Sequence, residues 1–125
     1  MKKPSPRISD AEMQLLQLLW DDSPLGASEL AERVPTHRGW KLSTVKTLLS
    51  RLLAKGAIAA EAEGRSFRYR PVVERATIAG RQAGRLVDRL FGGRVSPLVA
   101  QLAEQREIDP ADLDELEKLV RDLRK

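Results

Sequence analysis

Cysteine is absent from the 125 residues, and histidine occurs once, as His37. Without cysteine the chain has no disulfides, thiolate metal ligands or thiol nucleophiles. A transition-metal site normally needs several His or Cys ligands, so a metal sensor or zinc enzyme is disfavoured. The front part also lacks a glycine-rich phosphate loop and clustered carboxylates. We therefore expect no enzymatic activity and no cofactor or metal.

Aromatic residues make up only 4% of the chain, so there is little to stack against the bases of single-stranded RNA. No apolar run approaches the roughly 20 residues that span a bilayer. The basic N-terminus, Met1-Lys2-Lys3-Pro4, is not followed by an apolar signal core. We expect a cytoplasmic protein with no membrane partner.

Positive charge is concentrated in the front part of the chain. The net charge is +4, and residues 1–73 account for it with 12 Lys and Arg against 8 Asp and Glu, whereas residues 74–125 have 10 of each sign. Between Arg38 and Arg70 eight basic residues face only two acidic ones, Glu61 and Glu63. This distribution favours an anionic partner, with an ordinary solvated surface as the alternative.

The stretch from Leu42 to Arg70 is the most informative part of the sequence, because it predicts a helix followed by a hairpin. Four apolar residues at i, i+3, i+4 and i+7 predict the buried face of the helix: Val45, Leu48, Leu49 and Leu52. Lys55-Gly56 predicts its end. The opposite face is polar and basic and consists of Ser43, Thr44, Lys46, Thr47, Ser50 and Arg51.

The hairpin is predicted from two short strand-like runs, 57–60 and 66–70, joined by a five-residue turn, 61–65. Phe67 and Tyr69 alternate with Arg68 and Arg70, which predicts an aromatic face and a basic face. An ordinary amphipathic hairpin over the core explains the aromatics equally well. It leaves the arginines, including Arg65 in the turn, unexplained.

Two helices precede this stretch. Ser9 and Glu12 have the spacing of a capping box, which predicts a first helix ending between Asp21 and Pro24. A second helix is predicted from Ala27 or Ser28 to Pro35. Three helices and a hairpin predict a mainly α fold, a winged helix-turn-helix domain over residues 1–73.

Residues 74–125 predict a helical dimerisation domain. One helix runs from Glu74 to Phe91, and two more begin at Ser96-Pro97 and Asp109-Pro110, each capped before a proline. So short a helical tail cannot bury its own apolar stripes, so we expect a homodimer, with intramolecular packing as the alternative. The expected dimerisation residues are Leu86, Leu90, Phe91, Leu98, Leu102, Leu113, Leu116, Leu119, Val120 and Leu123.

Several runs resemble a known family. They are Ile8-Ser9-Asp10-Ala11-Glu12, Leu19-Trp20, residues 43–52, Lys55-Gly56-Ala57, and Glu63-Gly64-Arg65 followed by Phe67-Arg68-Tyr69. In these runs and in its order of elements, nearly the whole chain resembles the penicillinase-repressor (BlaI/MecI) family of winged-helix regulators. The resemblance implies a homodimeric transcriptional repressor that binds an inverted-repeat operator.

The chain also departs from that family. Members that respond to beta-lactams are inactivated by a cut between an asparagine and a phenylalanine in a tail helix, and the matching positions here are Gln101 and Leu102. Whether derepression uses proteolysis by a sensor-controlled protease therefore stays open. Copper-responsive relatives carry C-terminal cysteines, so metal induction by that route is excluded here.

The polar face of the third helix suits double-stranded DNA. Ser43, Thr44, Thr47 and Ser50 are short groups for base edges or phosphate, Arg51 reaches a guanine or a phosphate, and Lys46 supplies a point charge. Arg65 and Arg68 are expected to follow the wing into the minor groove or along its phosphates. The alternative is a protein-docking module whose leucine stripes bind the partner.

Overall fold

The computed structural model describes residues 7–125 and confirms the mainly helical, winged helix-turn-helix fold. Within this range a 3₁₀ turn, Thr36–Arg38, accompanies six α-helices and three strands. In chain order these are α1 (Asp10–Asp21), β1 (Leu25–Gly26), α2 (Ala27–Arg33), α3 (Leu42–Ala54), β2 (Ile58–Glu63), β3 (Ser66–Pro71), α4 (Arg75–Phe91), α5 (Val95–Gln105) and α6 (Pro110–Leu123).

The three strands form one antiparallel sheet in the order β1-β3-β2. β2 and β3 are the hairpin, called the wing below, and β1 pairs with its inner strand through Leu25 opposite Tyr69 and Gly26 opposite Arg68. The sequence analysis did not predict β1, because two residues are too few to show an alternating pattern.

The predicted five-residue turn of the wing is wrong. Pairing continues to Glu63 opposite Ser66, so Gly64 and Arg65 alone form the turn. Gly64 has φ +62°, and no other residue type has a positive φ in the part of the chain that the structure describes. A positive φ at Gly64 followed by a negative φ at Arg65 fits a type II′ turn, whose twist matches that of the strands it joins. Glu61 and Glu63 therefore belong to a strand.

The core of the first unit lies between α1 and α3. Every apolar side chain predicted on the inner face of α3 is buried: Val45, Leu48, Leu49 and Leu52. Three leucines of α1, at 15, 16 and 19, are fully buried against them. Gly56, with φ +74°, ends α3 as predicted and turns the chain directly into β2.

The predicted capping box begins α1. The backbone N–H of Glu12 donates to Ser9 Oγ at 3.1 Å, and the Ser9 N–H donates to Glu12 Oε1 at 2.9 Å. At the other end of α1, Trp20 Nε1 donates to the carbonyl of Val73 at 2.9 Å. The chain entering α4 is thereby held against α1.

The chain divides into two compact units inside α4, with the second unit comprising Gly80–Lys125. The sequence analysis placed this boundary at residue 73, just before α4. α6 begins as predicted, with Asp109 accepting from the Ala111 N–H at 2.9 Å. The predicted Ser96 cap is wrong: α5 begins at Val95, and Pro97 lies in its first turn, where a proline is tolerated. In residues 7–125 no helix is both long and apolar enough to span a membrane.

Candidate nucleic-acid interface

The outer side of α3 is a continuous exposed surface. All six side chains predicted to contact DNA are exposed there: Ser43, Thr44, Lys46, Thr47, Ser50 and Arg51. At 3.6 residues per turn they cover an arc of about 160°, opposite the buried apolar face. The structure therefore brings the predicted contacts of α3 together on one side of a rigid helix.

The polar groups on this surface are largely uncommitted. Thr47 Oγ1 donates to the carbonyl of Ser43 at 3.0 Å, which leaves its oxygen able to accept. The side chains of Lys46 and Arg51 form no hydrogen bond or ion pair within residues 7–125. No acidic residue occurs between Glu32 and Glu61, so this surface has no carboxylate of its own to neutralise it.

Several other cations of the first unit are engaged within the chain. Arg33 Nη1 lies 2.7 Å from Asp22 Oδ2, and Arg75 Nη2 lies 2.7 Å from Asp21 Oδ1. Arg38 lies 5.4 Å from the ring centre of Trp40, which is partly buried against the core. In α3, its N-cap and the wing, four exposed cations have no side-chain partner among residues 7–125. They are Lys41, Lys46, Arg51 and Arg65.

The wing separates the two arginines that the sequence analysis grouped together. Arg65 lies exposed at the turn, whereas Arg68 is half-buried and donates to the carbonyl of Pro24 at 3.0 Å. Arg70 Nε lies 2.9 Å from Glu61 Oε1. The sequence analysis missed the glutamates that pair with these arginines. A two-residue turn at Gly64-Arg65 would have placed Glu61 and Glu63 on the strand facing them.

The far end of α3 is fastened to α1 by a buried charge. Lys55, the C-cap of α3, pairs with Glu12, whose side chain is 1% exposed. Burial raises the pKa of the Glu12 carboxyl, but hydrogen bonds from Lys55 and Ser9 and the charge of Lys55 outweigh it. The pKa therefore lies below its ordinary value of 4.5, and the carboxylate is ionised at neutral pH.

The expected dimerisation residues lie on α4, α5 and α6. Leu86, Phe91 and Leu98 are half-buried. The others are exposed in the single chain: Leu90, Leu102, Leu113, Leu116, Leu119, Val120 and Leu123. The sequence analysis missed Val95 and Val99, which are also exposed on α5. A cleft of about 700 Å³ opens between α5 and α6, with Leu102, Leu116 and Leu119 in its lining.

The described residues contain no group of three or more His, Asp or Glu side chains arranged to hold a metal ion. Gln101 and Leu102, which the sequence analysis named as a candidate cleavage pair, both lie exposed within α5.

Comparison with known proteins gives relatives that match nearly the whole chain. A family model described as penicillinase repressor matches residues 8–122. The penicillinase repressor of Bacillus licheniformis is 28% identical over 120 residues, which cover 96% of this chain and 93% of that protein. The methicillin resistance regulatory protein MecI of Mammaliicoccus sciuri is 25% identical over 113 residues, 90% of this chain and 92% of that protein.

Two solved structures of BlaI match 60% of this chain. The solution structure of the DNA-binding domain of the repressor BlaI is 33% identical, with a TM-score of 0.53 over 60% of this chain and 92% of that domain. Bacillus licheniformis BlaI, as a monomer bound to the blaP half-operator, is likewise 33% identical, with a TM-score of 0.50 and the same coverage. With its winged-helix unit, helical tail and a family match over residues 8–122, this chain belongs to the penicillinase repressor family.

Proposed function

We propose that the protein is a homodimeric transcriptional repressor that binds inverted-repeat operator DNA with α3 in the major groove. The observation that carries this proposal is the outer surface of α3, where two unpaired cations stand among short polar side chains and no carboxylate interrupts them. The B. licheniformis BlaI half-operator complex, 33% identical to this chain, supports DNA as the partner.

The side chains of α3 divide by chemistry. Ser43, Thr44 and Thr47 are short enough to reach base edges or phosphate only at close range, which requires the helix to enter the groove. Arg51 offers a planar fork that matches guanine O6 and N7 or a phosphate. Lys46 attracts the DNA backbone without reading sequence, and we assign to Ser50 a hydrogen bond to phosphate.

In the wing, Arg65 is the arginine assigned to DNA. It is exposed at the turn and has no partner among residues 7–125, so it is available to phosphates or to a narrow minor groove. Arg68 was expected to share this role, but its guanidinium is already engaged by its own chain. We assign it the role of positioning the wing.

A homodimer is supported by apolar surface that a single chain leaves in water. Leu119 is 53% exposed and Leu123 is 74% exposed, and both belong to the stripe that runs along α6. Stripes of this kind are normally buried against another helix, and a two-fold dimer buries the same surface on both subunits. Two α3 helices related by a two-fold axis would then face the two halves of an inverted repeat.

Charge supports a particular pairing in that dimer. On α4 three exposed or half-exposed arginines, Arg81, Arg85 and Arg89, recur every fourth residue, whereas α6 carries five carboxylates against two cations. Within residues 80–125 the only ion pair is between Lys125 and Asp122. We propose that α4 of each subunit lies beside α6 of the other, because neither charge is matched within one chain.

Release from DNA by proteolysis, which the family resemblance implies, would act at the bond between Gln101 and Leu102. That bond lies inside α5, where the Leu102 carbonyl accepts from the Arg106 N–H at 3.0 Å. α5 would have to unwind before a protease could bind it in extended form. Mass spectrometry of the protein recovered from derepressed cells would show a new terminus at residue 102, and an intact chain would exclude this route.

The decisive experiment selects duplexes from a random pool and measures their binding by fluorescence anisotropy across a salt series. The proposal expects inverted repeats with half-sites about 10–10.5 base pairs apart, or a multiple of that. It also expects an affinity that falls steeply with salt, since Lys46, Arg51 and Arg65 would displace the counterions bound to the DNA phosphates. A protein-docking module would give no enriched repeat and no steep salt dependence, and either result would exclude the proposal.

A further inference from the structure

One face of the wing carries an alternating ladder of opposite charges. Arg68 and Arg70 project from the same side of β3, and Glu61 lies directly opposite Arg68 on β2. The ion pairs run diagonally across the strands: Arg70 Nε to Glu61 Oε1 at 2.9 Å, and Arg68 Nε to Glu63 Oε2 at 3.3 Å. Each arginine of β3 is therefore matched by a glutamate of β2.

A third carboxylate joins this ladder from α2. Glu29 Oε1 accepts from the Gly26 N–H at 3.1 Å at the start of α2, and it also lies 3.3 Å from Arg68 Nη2. Two arginines therefore share one face with three carboxylates, a net charge of 2 − 3 = −1. The face that the sequence predicted to be basic is slightly acidic.

We propose that Glu61 and Glu63 confine the wing's attraction for phosphate to Arg65 and thereby lower the affinity for DNA of any sequence. The inference rests on the proposed function, since it concerns how strongly the same surface binds DNA. A guanidinium held by a carboxylate must exchange that partner for a phosphate, whereas Arg65 has nothing to exchange. Sequence-independent binding is electrostatic, so each arginine withheld from phosphate weakens it.

The exposure of these pairs makes the exchange measurable. The side chains of Glu61 and Glu63 are 60% and 62% exposed, and ion pairs this open to water are weak. Replacing the two glutamates by glutamine should thus leave the fold intact and release Arg70 toward phosphate, whereas Arg68 keeps the Pro24 carbonyl and Glu29 as partners. The matched control is Glu32→Gln with Glu74→Gln, which removes the same charge from two exposed glutamates without an ion pair among the described residues.

The experiment measures anisotropy of a random-sequence duplex between low and physiological salt. We expect Glu61→Gln with Glu63→Gln to bind about three- to tenfold more tightly than the control, with a salt slope steeper by about one, for the release of Arg70. Thermal unfolding of each variant checks that the fold is retained. Binding equal to the control, or weaker than it, would overturn the inference.

A double-mutant cycle tests whether the arginines are the cause. In an Arg70→Gln background, Glu61→Gln should give no tightening beyond that of Glu32→Gln in the same background. Tighter binding that persists without Arg70 would mean that Glu61 repels DNA by itself. It would overturn the inference that Arg70 exchanges Glu61 for a phosphate. If the unaltered protein shows no salt-dependent binding to any duplex, the proposed function fails, which is distinct from failure of this inference.

Discussion

Glu12 Oε1 accepts a hydrogen bond from Lys55 Nζ at 2.5 Å and so joins the first turn of α1 to the C-cap of α3. The same oxygen accepts from the Ser9 N–H, and Lys55 Nζ also donates to the carbonyl of Arg7 at 2.6 Å. One carboxylate thus completes the capping box of α1 and holds the C-terminal end of the helix proposed to read DNA. Its other oxygen, Oε2, has no hydrogen-bond partner in residues 7–125.

Replacing Glu12 by glutamine should destabilise the first unit. A buried ion pair that loses one partner leaves the other charge uncompensated, but Lys55 is 31% exposed and keeps part of its hydration. We therefore expect the free energy of unfolding to fall by about 1–3 kcal/mol in urea denaturation. Asp10→Asn, an exposed acid in the same turn, is the control and should cost less than about 1 kcal/mol. Equal losses would show that the ion pair adds nothing beyond the helix dipole.

The stability of the protein should depend on pH through the same carboxyl. The pKa of Glu12 is lowered on folding from 4.5, so its contribution is complete above that pH and is lost as the pH falls through the folded-state pKa. The difference in unfolding free energy between the unaltered protein and Glu12→Gln should hence shrink on acidification below pH 4.5. Urea denaturation from neutral pH downward measures it. A constant difference would contradict the assignment.

Arg51→Ala and Arg65→Ala should affect DNA binding in different ways. If Arg51 contacts a base, its loss weakens operator binding by about 1–3 kcal/mol and random DNA by less. Loss of Arg65 should weaken both duplexes alike and flatten the salt slope by about one unit. Anisotropy on both duplexes separates the two, with Arg124→Ala at the exposed C-terminus as control. Equal losses on both duplexes for both variants would contradict this division.

Charge reversal should test the proposed pairing of α4 with α6 across the dimer. Arg85→Glu with Arg89→Glu gives the α4 segment from residue 80 onward a net negative charge. Asp112→Arg with Glu115→Arg gives α6 a net positive charge. Each variant alone should associate less tightly than the unaltered protein, because both contacts of its homodimer become repulsive. An equimolar mixture should restore association, since each helix then meets an opposite charge. Sedimentation velocity measures all three samples.

The mixture is the informative sample in that experiment. Circular dichroism of each variant confirms that its helices are retained. Two weakened variants that fail to associate when mixed would exclude the α4–α6 pairing while leaving a homodimer possible in another arrangement. A monomeric unaltered protein at micromolar concentration would exclude the homodimer itself.

Local patterns predicted much of the first unit, because its helices carry strong signals. The capping box of Ser9 and Glu12, the apolar spacing of Val45 to Leu52 and the helix end at Gly56 each depend on residues within one or two turns. The exposed set on α3 followed from the same spacing. The tail was predicted less well at its boundaries, where Ser96 resembled a cap but lies inside α5.

The wing could not be predicted from its composition. Its arginines suggested a basic surface, but their charge depends on which glutamates lie within a few ångströms, and strand register decides that. Glu29 is 39 residues from Arg68 in the chain and reaches it only because β1 pairs with β3. The link between Glu12 and Lys55 is equally distant in sequence, at 43 residues.

The sequence by itself determined the helices, the buried and exposed faces of α3 and the family, since these depend on periodicity and on short motifs. Only the tertiary structure decided which cations remain free. Electrostatic attraction depends on distance in space, and the sheet brings Glu29, Glu61 and Glu63 to Arg68 and Arg70 while leaving Lys46, Arg51 and Arg65 without a carboxylate partner among the described residues.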